Sequence, residues 1–221
     1  MITHLGVIAD GNRRWAKEHG LPSIEGHKKG LDAIEKIVDA ARRAGIKYVT
    51  FYVFSTENWG RSQAEVSYIM KLAETKILSY AKKMVEKNGR MVILGSKEHV
   101  NPKLLGAIEE AERITAEGKD ITVGFCFNYG GEQEIVDAAK AAAEKGEISK
   151  ESIRQNLYHP EIPDIDMVVR TSGEERISGF MLWRASYAEF MFIKKYFPDM
   201  EAADVETIVK EYEKRNRRFG K

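Results

Sequence analysis

The chain has 221 residues, with 35 Lys and Arg against 34 Asp and Glu, so its formal net charge at pH 7 is +1. This balance excludes the strongly basic surface of a nucleic-acid-binding protein, so any binding of anions must come from local clustering. Cys126 is the only cysteine, which excludes an intrachain disulfide and favours a reducing, cytoplasmic setting. No apolar run approaches the ~20 residues of a membrane-spanning helix.

Short apolar, β-branched runs alternate with longer segments of helical period. The predicted strands cover residues 4–9, 48–54, 91–94, 121–127 and 165–169. The predicted helices cover residues 29–44, 63–87, 101–117, 132–144, 149–157 and 202–218. Such alternation is typical of an α/β fold, a mostly parallel central sheet flanked by helices on both faces. Because no repeat or flexible linker interrupts the pattern, residues 1–221 are predicted to form a single domain.

The predicted helix at 63–87 carries one continuous apolar face. The face either packs against the core or lines a cavity for an apolar ligand, and periodicity does not separate the two. Its members are Val66, Ile69, Met70, Ala73, Ile77, Tyr80, Ala81, Met84 and Val85.

Polar, glycine-containing segments follow four of the five predicted strands. They cover residues 10–15, 55–61, 128–131 and 170–178. In an open parallel sheet, ligands bind outside the carboxyl ends of the strands. The four segments are therefore expected to meet at one edge of the sheet and to form a binding site there.

The first polar segment has the composition of an anion site. Asn12, Arg13 and Arg14 open a predicted helix, whose N-terminal amides and dipole favour a negative charge. Gly11 would let the backbone approach a ligand closely. Asp10, set among these cations, is a candidate Mg²⁺ ligand, because Mg²⁺ uses one or two protein carboxylates and completes its shell with water and substrate phosphate.

The later segments add more groups that bind phosphate. Arg61, Arg170 and Arg176 can each fork onto phosphate oxygens, and Ser178 adds a hydroxyl. With Arg13 and Arg14 the edge would carry five arginines, more than one phosphate group requires. The sequence therefore predicts a site for two diphosphates or for one long polyphosphate.

Five motifs, in order and at matching spacing, resemble those of the cis-prenyltransferases, the family that includes undecaprenyl diphosphate synthase. The motifs are residues 10–16 with Gly26 and His27, residues 54–59 with Arg61 and Glu65, residues 127–131, residues 170–178, and residues 182–183 with 187–189. The resemblance covers nearly the whole chain. It implies an enzyme that condenses isopentenyl diphosphate with an allylic prenyl diphosphate, giving a Z-configured polyprenyl diphosphate for lipid-carrier synthesis.

The resemblance also implies a cofactor, an architecture and partners. Mg²⁺ would be the cofactor, and the growing chain would occupy an apolar tunnel between sheet and helices, with the 63–87 face as one wall. The protein would be a homodimer, or a heterodimer with a related subunit. It would act in the cytoplasm, with membrane association through release of its lipid product.

Individual roles follow from the matched positions. Asp10 would be the essential acid and, with Glu189, a ligand of Mg²⁺, while Asn58 would assist proton removal. The allylic diphosphate would bind Gly11, Asn12, Arg13, Arg14 and His27. Isopentenyl diphosphate would bind Arg170, Arg176 and Ser178 with Arg61 nearby, and Arg218 and Gly220 would reach the partner's site. The matched motifs add Trp15, Ser55, Thr56, Glu57, Trp59 and Ile177 to the substrate-binding residues.

Three positions depart from the family pattern. Ser23 stands where an arginine is usual, which removes one phosphate contact from the allylic site. Arg184 follows Trp183 where glutamine is common, and Gly179 replaces a usual asparagine or aspartate. None of the three touches the residues expected to carry the chemistry.

Two other functions are compatible with parts of this pattern. A non-catalytic partner subunit would lack the first-motif aspartate and the phosphate-binding residues, which this chain retains. A phosphatase using the same Mg²⁺ site would need a positioned nucleophile or a water-activating base, and no cysteine, Ser–His pair or second clustered aspartate is evident.

Overall fold

The computed structural model describes residues 1–215, which form six β-strands and seven α-helices around one sheet. The strands are β1 (His4–Ile8), β2 (Tyr48–Ser55), β3 (Gly89–Leu94), β4 (Ile121–Tyr129), β5 (Met167–Arg170) and β6 (Glu189–Phe192). The helices are α1 (Asn12–Glu18), α2 (Ser23–Arg43), α3 (Gln63–Glu86), α4 (Pro102–Thr115), α5 (Gly131–Glu144), α6 (Lys150–Asn156) and α7 (Ala202–Glu213). Short 3₁₀ turns cover Thr56–Gly60 and Phe197–Asp199.

All six strands are parallel, in the order β3-β4-β2-β1-β5-β6. The predicted α/β fold with a parallel sheet is thereby confirmed. After β1 the chain moves to β2 on one side, whereas after β5 it moves to β6 on the other side. The carboxyl ends of β1 and β5 therefore flank the switch point of the topology, where ligands of such sheets bind.

Both faces of the sheet are buried, which explains the near-continuous apolar runs of the central strands. On one face Phe51 and Val123 pack with Ile37 of α2 in the larger core cluster. On the other face Tyr52 and Phe180 belong to a second cluster. Within residues 1–215, no helix has both the length and the apolar character needed to cross a bilayer.

The structure differs from the sequence prediction mainly at the ends of helices and at one edge of the sheet. It adds β6, an edge strand of four residues, too short to show an alternating pattern. Helix α2 begins at Ser23 rather than at residue 29, because its first turn is polar and follows Pro22. Helix α7 ends at Glu213, and the rest of the predicted helix 202–218 lies partly outside the described residues.

Candidate active site

Asp10 lies two residues beyond the end of β1, at the switch point of the sheet. Its Oδ2 atom is 2.9 Å from Nη2 of Arg170, the last residue of β5. Its Oδ1 atom accepts a hydrogen bond from the Gly11 amide at 2.7 Å and lies 3.3 Å from Nη2 of Arg14. The carboxylate is thus held between two arginines and remains partly exposed.

The side chain of Arg170 is almost completely buried, with 6% of its surface exposed. Its Nη1 atom donates to the carbonyl of Arg176 at 2.6 Å and to Oγ of Ser178 at 2.8 Å. Its Nε atom is buried and has no hydrogen-bond partner among residues 1–215. Such a group, pre-positioned and not fully satisfied, is suited to bind an incoming anion.

Arg14 and Arg176 share one carboxylate. Glu174 accepts from Nη1 of Arg14 at 2.8 Å and from Nη1 of Arg176 at 2.6 Å. Arg14 also donates to the hydroxyl of Ser172. Glu174 therefore links the arginine predicted for the allylic diphosphate with one predicted for isopentenyl diphosphate, a role that the sequence alone did not reveal.

A second shared carboxylate organises the other side of the site. Glu65, in the first turn of α3, lies 3.0 Å from Nη1 of Arg61, 3.6 Å from Nε2 of His27 and 3.7 Å from Nε of Arg13. Burial lowers the pKa of His27, and the nearby Glu65 partly offsets this effect. Residue Glu65 was part of a matched motif, but its contact with three separate elements depends on the fold.

Two glycines allow the first segment to pack closely. Gly11 has φ of 101°, a conformation that favours glycine, and a Cβ there would lie 2.6 Å from Cδ1 of Tyr196. At Gly26 a Cβ would lie 1.9 Å from the carbonyl oxygen of Asn12. Because α2 can approach α1 this closely, His27 and Asn12 come to the same cavity.

The second motif is held by its own hydrogen bonds. Oδ1 of Asn58 accepts from the backbone amide of Ser55 at 3.2 Å, and Thr56 donates to Glu57 at 3.2 Å. Trp59 donates its indole N–H to Asn128 at 2.7 Å and packs edge-on against the ring of Phe54. Trp59 is therefore engaged mainly in holding the loop.

Trp15 and Ile177 occupy apolar surroundings. Trp15 is buried, donates its indole N–H to Asp199 at 2.6 Å and borders the cavity described below. Ile177 packs against the second core cluster.

The structure does not bring Glu189 to Asp10 within one chain. Glu189 is the first residue of β6 and lies level with Leu5 of β1 through Met167. It is therefore at the amino end of the strands, where it pairs with Arg215 at 2.8 Å, while Asp10 is at the carboxyl end. Two further predicted site residues, Arg218 and Gly220, lie outside the described residues.

The donor set at Asp10 fits a metal ion that arrives with a phosphorylated ligand. Within residues 1–215, there is no group of three or more His, Cys, Asp or Glu side chains that could hold a metal ion. One carboxylate, completed by water and substrate phosphate, is a usual arrangement for Mg²⁺ and is insufficient for a structural metal.

A cavity of about 590 Å³ extends from this edge between the sheet and helices α2 and α3. Asn12, Trp15 and His27 border its polar end. Its interior is lined mainly by apolar side chains, including Val53, Ile69, Ala73, Tyr80, Phe125 and Phe127. The apolar face predicted in 63–87 is thus divided, because Ile69, Ala73, Ile77 and Tyr80 line the cavity while Ala81 and Met84 pack in the core.

This edge and cavity define an α/β protein equipped to bind phosphorylated ligands with apolar tails. Residues 8–220 match a family described as putative undecaprenyl diphosphate synthase, and the chain belongs to this prenyltransferase family.

Similarity to individual relatives extends over nearly the whole chain. The chain is 41% identical to an isoprenyl transferase of Neisseria gonorrhoeae, with 99% of this chain and 89% of the relative covered. It is 38% identical to a ditrans,polycis-undecaprenyl-diphosphate synthase ((2E,6E)-farnesyl-diphosphate specific) of Micrococcus luteus, with 98% and 90% covered. The crystal structure of lavandulyl diphosphate synthase from Lavandula x intermedia in complex with dimethylallyl diphosphate superposes with a TM-score of 0.95 at 32% identity, covering 100% and 98% of the two chains.

Proposed function

We propose that residues 1–221 form one catalytic domain, a Mg²⁺-dependent cis-prenyltransferase that adds isopentenyl diphosphate to an allylic prenyl diphosphate. The observation that carries the proposal is the position of Asp10, between Arg14 and Arg170 and beside an apolar cavity. The names of the relatives and the dimethylallyl diphosphate in the Lavandula enzyme support the same substrate class.

The charge of the site suits two diphosphates. Two ion-paired groups, one around Glu65 and one around Asp10 and Glu174, together contain five arginines against three carboxylates; the arginines are Arg13, Arg14, Arg61, Arg170 and Arg176. The excess of positive charge is available to bound anions. We assign the allylic diphosphate to the side of Gly11, Asn12, Arg13, Arg14 and His27, and isopentenyl diphosphate to the side of Arg170, Arg176 and Ser178.

Asp10 is the residue assigned to hold Mg²⁺ together with substrate phosphate. When bound, the ion would supply stabilisation of negative charge on the departing diphosphate. Arg14 and Arg170 flank the same carboxylate and would stabilise that charge from fixed positions, which is more effective than solvent that must reorganise. Glu189 could join such a site only from another chain.

In the reaction, the bond between the allylic carbon and its diphosphate breaks and a bond to the terminal carbon of isopentenyl diphosphate forms. One proton leaves the new junction, and inorganic diphosphate is released. Holding both diphosphates makes the encounter of the two carbons effectively unimolecular. Because Oδ1 of Asn58 already accepts from Ser55 and an amide is a weak base, Asn58 would orient a phosphate oxygen or water that takes the proton.

The product and the assembly follow from the same proposal. The growing Z-configured chain would occupy the apolar cavity, and the lipid would be passed to the membrane from a cytoplasmic enzyme. A homodimer is proposed because β6 is an edge strand of the sheet. Phe192 on this strand is exposed, as is Tyr187 just before it. Arg218 and Gly220 would then complete the partner's site.

The test is direct. The purified protein is incubated with farnesyl diphosphate, labelled isopentenyl diphosphate and Mg²⁺, and the extracted lipid is analysed by mass spectrometry and NMR. A longer prenyl diphosphate with a new Z double bond, lost on chelation by EDTA, is the expected result. No product from this chain alone would indicate a partner subunit, and release of phosphate without condensation would indicate a phosphatase.

A further inference from the structure

The Ser178 loop, residues 176–181, carries two of the three side chains assigned to isopentenyl diphosphate. Its backbone is unusual, because Ser178 and Met181 have positive φ angles of 48° and 41°. Residues with a Cβ rarely adopt such angles, so contacts from neighbouring elements must hold the loop in this shape. The position of the Ser178 hydroxyl therefore depends on what lies behind the loop.

Tyr52, near the end of β2, lies behind the loop and joins it to the sheet. Its hydroxyl is 3.4 Å from the carbonyl oxygen of Ser178 and 3.2 Å from the carbonyl oxygen of Tyr129, the last residue of β4. Because burial raises the pKa of Tyr52, the hydroxyl stays protonated and can donate to these acceptors. Tyr52 thus connects the loop to the carboxyl ends of β2 and β4.

The ring of Tyr52 is held in place by the loop itself. It stacks on Phe180, with the centroids 5.3 Å apart and the planes at 25°, and Phe180 is fully buried. The backbone amide of Gly131, at the start of α5, donates to the carbonyl of Gly179 at 3.0 Å. The stack and this hydrogen bond would keep the loop folded if the Tyr52 hydroxyl were removed.

Tyr52 lies on the sheet face opposite the allylic side. It belongs to the second core cluster with Phe180, whereas α2, which carries His27, packs on the other face through Ile37. Val53, the next residue of β2, lines the apolar cavity on that other face. A change at the Tyr52 hydroxyl should therefore affect one diphosphate site and leave the other unchanged.

We propose that Tyr52 is a positioning residue for isopentenyl diphosphate, because its hydroxyl holds the Ser178 loop in the shape that brings Ser178 to Arg170. Arg170 fixes the loop from the other side, donating to Oγ of Ser178 at 2.8 Å and to the carbonyl of Arg176 at 2.6 Å. Tyr52 acts through the loop rather than by contact with substrate. The inference rests on the proposed function, since it concerns one of the two diphosphate sites assigned there.

The first experiment compares wild type with Tyr52→Phe, which removes one hydroxyl and should keep the wild-type circular dichroism spectrum. Steady-state rates are measured with each substrate varied in turn. The KM for isopentenyl diphosphate should rise roughly 3- to 10-fold while the allylic KM stays within about twofold, as expected from the loss of one neutral hydrogen bond on one side of the site. An unchanged KM for isopentenyl diphosphate, or an equal rise in both KM values, would overturn the inference.

Tyr48→Phe is the matched control. Tyr48 lies on the same strand and the same sheet face as Tyr52, at the amino end, and also packs against the second core cluster. The substitution removes the same atom far from the Ser178 loop, so both KM values should stay at the wild-type level. A rise in the KM for isopentenyl diphosphate equal to that of Tyr52→Phe would contradict a specific role for Tyr52.

A double-mutant cycle tests whether Tyr52 acts through Ser178. In the Ser178→Ala background, Tyr52→Phe should raise the KM for isopentenyl diphosphate by a smaller factor than in wild type, because the hydroxyl that Tyr52 positions is already missing. Equal factors in the two backgrounds would contradict the proposed coupling.

Hydrogen exchange measured by mass spectrometry keeps the inference independent of turnover. In substrate-free protein, peptides covering residues 176–181 should exchange faster in Tyr52→Phe than in wild type or Tyr48→Phe. Equal exchange in all three proteins would overturn the inference even if a KM changes. A wild type that forms no condensation product would count against the proposed function instead, and the exchange result would still decide whether Tyr52 holds the loop.

Discussion

Nη2 of Arg170 lies 2.9 Å from Oδ2 of Asp10, although 160 positions separate the two residues in the chain. The contact exists because β1 and β5 are neighbours and end at the same edge of the sheet. It links the candidate metal-binding acid with the most deeply buried arginine of the site. The substrate must therefore bind beside an ion pair that is already formed. Substitutions of Asp10 and of Arg170 should affect different steps of the reaction.

Replacing Asp10 with Asn should abolish condensation with little effect on folding. The variant keeps the side-chain shape but loses the charge that would bind Mg²⁺, which is worth several kcal/mol, or roughly a 10³-fold loss of rate. Initial rates at saturating Mg²⁺ measure the effect, and Asp120→Asn, an exposed aspartate on another surface, serves as control. An Asp10→Asn enzyme with more than about a tenth of wild-type turnover would contradict the assignment.

The arginines should separate the two diphosphate sites. Arg176→Ala should mainly raise the KM for isopentenyl diphosphate, and Arg14→Ala should mainly raise the KM for the allylic substrate. Each lost charge-assisted contact should cost about 1.5–3 kcal/mol, or roughly 10- to 150-fold. Steady-state kinetics with each substrate varied in turn measure the split, and equal effects on both KM values from both variants would remove the two-site assignment.

Glu65→Gln should disturb the allylic side through the residues that Glu65 holds. Arg13, Arg61 and His27 would lose their shared counter-charge and repel one another, so the allylic KM should change more than the KM for isopentenyl diphosphate. The pKa of His27, already lowered by burial, should fall further, because Glu65 is the main group raising it. NMR titration of the imidazole measures this shift.

The matched control for Glu65 is Glu74→Gln. Glu74 lies on the same helix, has the same 13% side-chain exposure and also pairs with two cations, Lys71 and Lys103. If both variants shift the allylic KM and the His27 pKa equally, Glu65 has no specific positioning role.

The stability of the protein should fall between pH 6.5 and pH 5 because of His4. Burial lowers the pKa of His4 to about 4, while its Nδ1–H donates to the carbonyl of Pro163 and Thr50 donates to Nε2. As the pH falls through 6.5, His4 therefore binds a proton in the unfolded chain, whereas in the native state it stays neutral until the pH approaches 4. The free energy of unfolding should decrease by about 2 kcal/mol over this window from His4 alone.

Urea unfolding at several pH values tests the His4 prediction. His4→Gln should have a smaller pH dependence than wild type, whatever its absolute stability. His19→Gln, at an exposed histidine, is the matched control for the substitution itself. Identical slopes for wild type and His4→Gln would show that other groups cause the acid sensitivity.

Arg184, which departs from the family pattern, should be required for the stability of this chain. Arg184 and Glu134 are both buried and lie 2.8 Å apart, and Arg184 also donates to the carbonyls of Tyr158 and His159. Arg184→Met leaves a buried carboxylate without its counter-charge and should cost about 3–5 kcal/mol of unfolding free energy. Adding Glu134→Gln should restore part of this loss.

The exposed pair of Arg113 and Glu110 supplies the comparison for Arg184. Arg113→Met should change the unfolding free energy by at most about 1 kcal/mol. Similar losses for the two Met variants in chemical denaturation would contradict the importance of the buried pair.

Much of this site could be predicted from sequence because its parts follow strands directly. A residue that comes just after a parallel strand must lie at the carboxyl edge, so the sequence places Asp10 and Arg170 at the same edge. Glu189 could not be placed, because the short edge strand β6 was not recognised and the residue begins that strand. Its position at the amino edge depends on where the strand starts, which a four-residue apolar run does not specify.

The contacts that each shared carboxylate makes with several cations could not be predicted from the sequence either. Glu65 and Glu174 each join side chains from separate elements, and only the packing of α1 against α2 and α3 defines which groups meet. The apolar cavity is a similar case, since Tyr80 and Ala81 belong to one apolar pattern that contains both cavity and core residues. Periodicity identifies a buried face but does not distinguish a packed neighbour from an empty space.

The excess of arginines over carboxylates at the sheet edge also affects how the protein should be handled. Any polyanion that binds only the folded chain raises its apparent stability in proportion to the logarithm of its concentration. Phosphate, sulfate or citrate in a buffer would occupy the same guanidinium groups that are assigned to the substrates. Such buffers should raise the melting temperature while raising both KM values, so a formulation chosen for thermal stability would conceal the activity being sought.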